Sequence, residues 1–241
     1  MWAELRKLRR SRILGVAVFG LVMVLFIVAA QGVFAGSDEL YSLEPEWFLT
    51  GLQSLGTLYA LPGIVALLGG YIICRENQDD VLKSLLLIPI NTGKMLLAKI
   101  FLIFIFSVGI YLFMFIVAFL VELMMHAQML TLTICLHYLR IYLLDGIGVF
   151  LSTLPIICIV IERKQGYWVS LLLAEIFSFL TIFVGNLGCI AKLYPLVATF
   201  TISGYYESSP EERMISVFSM VLCIAISGYM LYKMNQKDNL L

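Results

Sequence analysis

Two acids, Asp145 and Glu175, stand inside stretches otherwise apolar enough to sit in a bilayer. A carboxylate at a bilayer centre costs roughly 2.5–3.5 kcal/mol on insertion scales, so each is expected to face a bundle interior or water. Such a group can line a polar path for a substrate or hold a proton; the bland alternative is a hydrogen bond to a neighbouring helix. Asp145 follows Arg140 closely, about 7.5 Å along a helix, which puts it toward a membrane boundary, while Glu175 lies a turn or two in from Lys164 and Trp168. The two acids are therefore expected at different depths. Glu122 and His126 share one possible helix face and, with His137, could bind a metal, but no fixed spacing ties His137 to them and no metal site is expected. Cys74, Cys135, Cys158, Cys189 and Cys223 have no metal or redox spacing and are expected to be small apolar fillers. A phosphate-binding loop needs G-x-x-x-x-G-K-[ST]. Here Gly93-Lys94 is followed by Met95 and has Ile88 in place of the first glycine, so no ATP hydrolysis and no cofactor of the chain's own is expected.

The elements that must position these groups follow from composition. Of 241 residues 61% are hydrophobic and 13% charged, with a mean hydropathy of +0.99, whereas soluble domains run near half apolar and about a quarter charged. A soluble globule and a disordered chain are both excluded. Sixteen basic residues balance sixteen acidic ones, so no basic excess points to nucleic acid. A bilayer core takes about 20 helical residues to cross. Six segments qualify: 13–35, 51–74, 100–121, 141–161 with Asp145, a fifth from Tyr167 with Glu175, and 214–232. Strands of a barrel would be about ten residues of alternating polarity. The expected fold is all-α, a polytopic bundle of six transmembrane helices in a single transmembrane domain over 1–241. The basic cluster Arg6, Lys7, Arg9, Arg10 and Arg12 resembles the start of a signal peptide. The apolar run of 23 residues after it exceeds the usual core of about 7–15, so it is expected to stay as a span.

With the N-terminus inside, 13 of the 16 basic residues fall on the inner side. Only Arg140, Lys192 and Arg213 fall outside, with eight acids: Asp38, Glu39, Glu44, Glu46, Glu122, Glu207, Glu211 and Glu212. The positive-inside rule therefore puts both termini in the cytoplasm. The stretch 122–140 is apolar but interrupted by Glu122, His126, Gln128, His137 and Arg140, and reads as an outer interfacial segment rather than a crossing.

Residues 1–12 can form a helix with Trp2, Leu5 and Leu8 on one side and basic residues elsewhere, suited to the headgroup layer of membrane lipid. The loop 75–99 is the longest expected cytoplasmic piece. Asp79 and Asp80 favour a helix start, Val81, Leu82, Leu85 and Leu86 recur at helical spacing, and Pro89 ends the turn. A short amphipathic helix of this kind can dock into a groove on a soluble partner or rest on lipid.

The run Arg75-Glu76, Asp79-Asp80-Val81-Leu82-Lys83-Ser84-Leu85-Leu86, Pro89-Ile90 and Lys94-Met95-Leu96-Leu97-Ala98-Lys99 resembles a signature of type-2 ATP-binding-cassette exporter permeases, including the bacitracin and lantibiotic-immunity permeases. Glu4 and Lys7 are similar to the basic N-terminal pattern of that family. The resemblance implies that Glu76, Asp79, Asp80, Val81, Leu82, Lys83, Leu85 and Leu86 form a coupling helix against a cassette ATPase subunit, which binds the ATP. It also implies a second permease subunit, alike or different.

Between Thr181 and Arg213 the chain is apolar but broken by Gly185, Asn186, Gly188, Pro195 and Gly204. Non-helical backbone at membrane depth needs burial in protein or access to water, so 185–213 reads as a short re-entrant or interfacial pair, similar to one that helps close the outer exit in exporter permeases. The leading expectation for function is export of an amphiphilic substrate: an antimicrobial peptide in bacteriocin or lantibiotic self-immunity, or a drug in antibiotic resistance, at a bacterial cell membrane. An intramembrane enzyme would need polar residues at one depth on several helices. A secondary transporter would need broken helices in both halves, and the sequence breaks visibly in the second.

Overall fold

The computed structural model describes residues 11–34, 45–78, 92–163, 166–185 and 187–238, with side chains described except at 33–34, 75–78, 92, 94, 235 and 237–238. Among these residues there is no strand. The helices are α1 (Arg12–Phe34), α2 (Trp47–Leu55), α3 (Leu61–Gln78), α4 (Thr92–His126), α5 (Leu132–Glu162), α6 (Tyr167–Val184), α7 (Pro195–Ser203) and α8 (Pro210–Asp238). A π turn, Gly56–Ala60, joins α2 to α3, and a 3-10 turn, Gly188–Leu193, precedes α7. Six stretches are long and apolar enough to cross a bilayer, with α2, the π turn and α3 forming one of them.

The span of α2–α3 and α5 are the buried centre, and α1, α4, α6 and α8 surround them with most of their surface exposed. Helix α1 shows the logic. It buries a narrow stripe of Ile13, Ala17, Leu21, Val24 and Val28, while Val18, Phe19, Val22 and Phe26 face outward. Apolar side chains on the outside cost nothing in lipid, so association rests on close packing through small residues. Helix α6 obeys the same rule: its buried face is Ser170, Ala174, Ser178 and Thr181. Ser170 Oγ donates to the Ala66 carbonyl at 2.8 Å, and a Cβ at Gly70 would come within 2.3 Å of that oxygen. Only glycine lets α3 and α6 approach this closely.

The π turn has a local cause. Pro62 carries no N–H for the Leu58 carbonyl four residues earlier, and its ring crowds that carbonyl. The backbone widens into a π turn just before the proline, and Ser178 Oγ on α6 donates to the Leu58 oxygen at 2.5 Å. The second span, expected over 51–74, is thus a helix with a distortion at Gly56–Ala60.

A second difference concerns 122–140. This stretch divides between two long helices, since α4 runs to His126 and α5 begins at Leu132, with Thr131 accepting from the Ile134 N–H at 3.4 Å as its N-cap. The polar residues that break the hydropathy lie at helix ends and in the turn.

The last turns of α1, α4 and α6 share one end of the bundle, with Glu46, Glu122, Glu207, Glu211 and Glu212; this is the acidic end. The last turns of α3 and α5 lie at the other, where Lys233 Nζ of α8 donates to Glu162 Oε1 of α5 at 3.0 Å. From the acidic end a hairpin turns back into the bundle. Its tip, Tyr194, stacks on Phe177, ring centroids 4.7 Å apart, and its hydroxyl donates to the Phe177 carbonyl midway along α6. Ser219 of α8 donates to the Leu193 carbonyl at 2.7 Å. Thr199 of α7 meets Gly148 near the middle of α5, where a Cβ would lie 2.4 Å from its methyl carbon. Helix α7 then climbs back and ends at Gly204, in the left-handed region with φ 95°, whose N–H donates to Phe200.

Candidate functional site

Asp145 lies on the face of α5 that meets α2, with none of its surface exposed. Gln53 Nε2 of α2 donates to its Oδ2 at 2.7 Å, and its Oδ1 has no hydrogen-bond partner. Ser203, at the end of α7, stands beside the carboxyl group, with its hydroxyl donating to the Phe200 carbonyl at 3.2 Å. Among the described residues no cation pairs with Asp145.

The surrounding bonds fix α2 firmly. Tyr142 on α5 donates to the Leu49 carbonyl at 2.8 Å, and Tyr111 on α4 donates to Thr57 Oγ1 at 3.0 Å. Ser107 on α4 donates to the Gly146 carbonyl at 2.8 Å, next to Asp145. Each such bond contributes roughly 1 kcal/mol net, and together they place one carboxyl group at the meeting of α2, α5 and α7, with α4 behind.

A second buried carboxylate sits nearer the acidic end. Glu122 on α4 is 1% exposed and accepts from the backbone N–H of Glu46 at 2.8 Å and of Phe48 at 3.3 Å. It thereby caps the N-terminus of α2, where a negative charge meets the positive end of the helix dipole. His126 Nδ1 lies 2.8 Å from its Oε1. Glu46, with φ 70°, accepts in turn from the Tyr138 hydroxyl at 3.0 Å. Glu122 and His126 are thus engaged in closing a helix end. His137 is exposed, with its ring edge-on to Tyr138, and no group of three metal-ligating side chains occurs among the described residues.

Glu175 on α6 is half-buried and lies over Gly63, where a Cβ would fall 1.9 Å from its Oε1. Gln53 and Gly63 are ten positions apart on one span, about 15 Å of helix, so Asp145 and Glu175 do not meet. The structure brings Asp145 together with Gln53, Tyr111, Thr57, Tyr142 and Ser203, none of which the sequence singled out. One signal was available: Gln53 is the only amide side chain in the charge-free run 51–74. Of the expected coupling residues, Asp79, Asp80, Val81, Leu82, Lys83, Leu85 and Leu86 lie outside the described residues, and Glu76 is described in its backbone alone, at the end of α3. The N-terminal segment 1–10 also lies outside them.

Six apolar helices around a buried polar centre, with a hairpin dipping in from one end, define a multi-pass membrane protein. The family model described as "ABC-2 family transporter protein" matches residues 1–181, and the chain belongs to that family. It is the membrane subunit of a transporter, of a class that lacks its own ATPase and works with a separate one. No curated protein and no solved structure matches the chain. The family match ends within α6, ahead of the hairpin and α8.

Proposed function

We propose that the chain is the transmembrane subunit of an ATP-driven exporter, in which a cassette ATPase pushes on the segment around 76–88 and a second permease subunit completes the pathway. Glu76, Asp79, Asp80 and Lys83 supply the polar contacts to the ATPase, and Val81, Leu82, Leu85 and Leu86 the apolar face that enters its groove. The observation that carries this reading is the acidic pair followed by leucines at helical spacing and Pro89-Ile90, in a chain of the ABC-2 family. Both termini and this segment lie in the cytoplasm of a bacterial cell, because 13 of 16 basic residues fall on that side.

The substrate class is amphiphilic: an antimicrobial peptide of the bacteriocin or lantibiotic type, exported for self-immunity, with a drug as the other member of the class. Asp145 and Glu175 are the polar groups that a path through the bundle would meet. The test is affinity purification of the full chain from its native membrane. A cassette ATPase should accompany the wild type and be lost from Leu82→Asp and Leu85→Asp at unchanged permease level. A chain that transports alone, with no ATPase ever accompanying it, contradicts the reading.

A further inference from the structure

Asp145 is the one described residue whose buried polar atom has no partner. An ionised carboxylate accepts hydrogen bonds at both oxygens and donates none. Here one oxygen accepts from a neutral amide and, among the described residues, the other has no hydrogen-bond partner and no cation pairs with the group. The protonated acid has the opposite requirement: one oxygen to accept, one to donate. Oδ2 accepts from Gln53, and Ser203 stands beside the carboxyl group with its hydroxyl donating to the Phe200 carbonyl at 3.2 Å, which leaves the Ser203 oxygen able to accept. A single added proton completes the chain Gln53–Asp145–Ser203–Phe200, running from α2 through α5 into α7.

The neighbours supply no substitute charge. Helix α4 faces Asp145 with Tyr111, and α5 itself with Tyr142, both with hydroxyls already donating elsewhere. Helices α2 and α7 offer Gln53 and Ser203, neither titratable. The buried face of α8 is Ser216, Ser219, Met220, Cys223 and Ser227. Glu175 of α6 lies at the level of Gly63 in α3, and Glu46, Glu122 and His126 are bound to one another and to Tyr138 at the acidic end.

We propose that Asp145 is a proton-binding site: in this bundle it is a neutral carboxylic acid whose Oδ1–H bonds to Ser203, so that one proton ties the re-entrant helix α7 to α2 and α5. When the proton passes to water, the O–H bond breaks and its electron pair stays on Oδ1. The tie to Ser203 is lost, and a bare carboxylate draws water between α5 and α7. The tie therefore holds at low pH and is released as pH rises. This goes beyond the transport reading and does not depend on it, because its readouts are the protonation of one side chain and the protection of one helix.

The test uses the full chain in lipid nanodiscs. Infrared spectra at neutral pH should show a protonated-carboxyl C=O band that is deuterium-sensitive, absent from Asp145→Asn and still present in Glu175→Gln. Ser203→Ala should shift this band without removing it, which keeps the test intact if the Asn variant fails to fold. Hydrogen exchange of the amides in 195–203 should match between wild type and Asp145→Asn at low pH. Above the point where the proton leaves, the wild type should exchange faster than the variant by about tenfold per pH unit, the comparison removing the intrinsic pH dependence of exchange. Absence of the band, with Asp145 ionised and Ser203 turned to donate to it, overturns the proposal. So do parallel exchange profiles in the two proteins, or protection of α7 that follows sodium at fixed pH.

Discussion

Glu122 and Asp145 are both buried carboxyl groups that serve helix α2, and their surroundings are opposite. Glu122 offers each of its oxygens to a backbone N–H and has His126 beside it, so every part of it is used in closing a helix end. Asp145 receives one amide hydrogen and keeps an oxygen without a donor, next to a hairpin helix that enters from the acidic end. The first arrangement suits a group with a structural task. The second is incomplete unless something is added, which is what a site for a proton or a moving helix requires. A buried acid in a membrane bundle is thus informative through its unmet bonds more than through its burial.

Amide substitutions break the comparison most sharply. Glu122→Gln turns an NH₂ group against a backbone N–H and should cost about 2 kcal/mol, and Glu122→Ala about 3 kcal/mol, because two buried amides lose their acceptor. Asp145→Asn keeps the acceptor for Gln53 and gains a donor toward Ser203, so it should cost about 0.5 kcal/mol or less. Thermal unfolding in detergent, followed by the fluorescence of Trp47 next to the cap, reads all three. Equal losses at both sites would erase the distinction between them.

Gly148→Ala comes next. The added methyl meets the Cβ, Oγ1 and Cγ2 of Thr199, so α7 must shift, at roughly 2 kcal/mol of overpacking. The same unfolding assay should show this loss, and proteolysis around Gly204 should quicken as the hairpin loosens. Ser178→Ala removes the donor that Pro62 denies to the Leu58 carbonyl and should cost about 1 kcal/mol. Lys233→Ala breaks an exposed pair with Glu162 and should leave the unfolding midpoint unchanged.

The six spans were legible because charge-free runs of helical length have one reading in a bilayer. The 122–140 stretch was rightly not counted as a crossing, but its division between the ends of α4 and α5 was not legible, because hydropathy averages polar residues at helix ends and in turns into the apolar residues around them. The π turn could have been anticipated from Pro62 in mid-span. Its partner Ser178 could not, since Ser178 and Leu58 are 120 positions apart along the chain. The capping role of Glu122 has the same origin: its amide partners lie 74 and 76 positions away and are brought near only by packing. Asp145 was visible as an acid in an apolar run, but its place beside α7 depends on the hairpin turning back to the middle of α5, which glycines and a proline suggest and only the contacts of Tyr194, Ser219 and Thr199 establish. The proposed coupling segment rests on a motif, since 79–91 lies outside the described residues.

The proposed function makes this bundle the membrane half of an ATP-driven machine. It is tested most directly by ATP hydrolysis in the tagged, affinity-purified full chain reconstituted in lipid. The wild type should carry vanadate-sensitive ATPase activity that Leu82→Asp abolishes without lowering the amount of permease recovered. Wild-type preparations free of ATPase activity, or activity that survives Leu82→Asp and Leu85→Asp together, would contradict it.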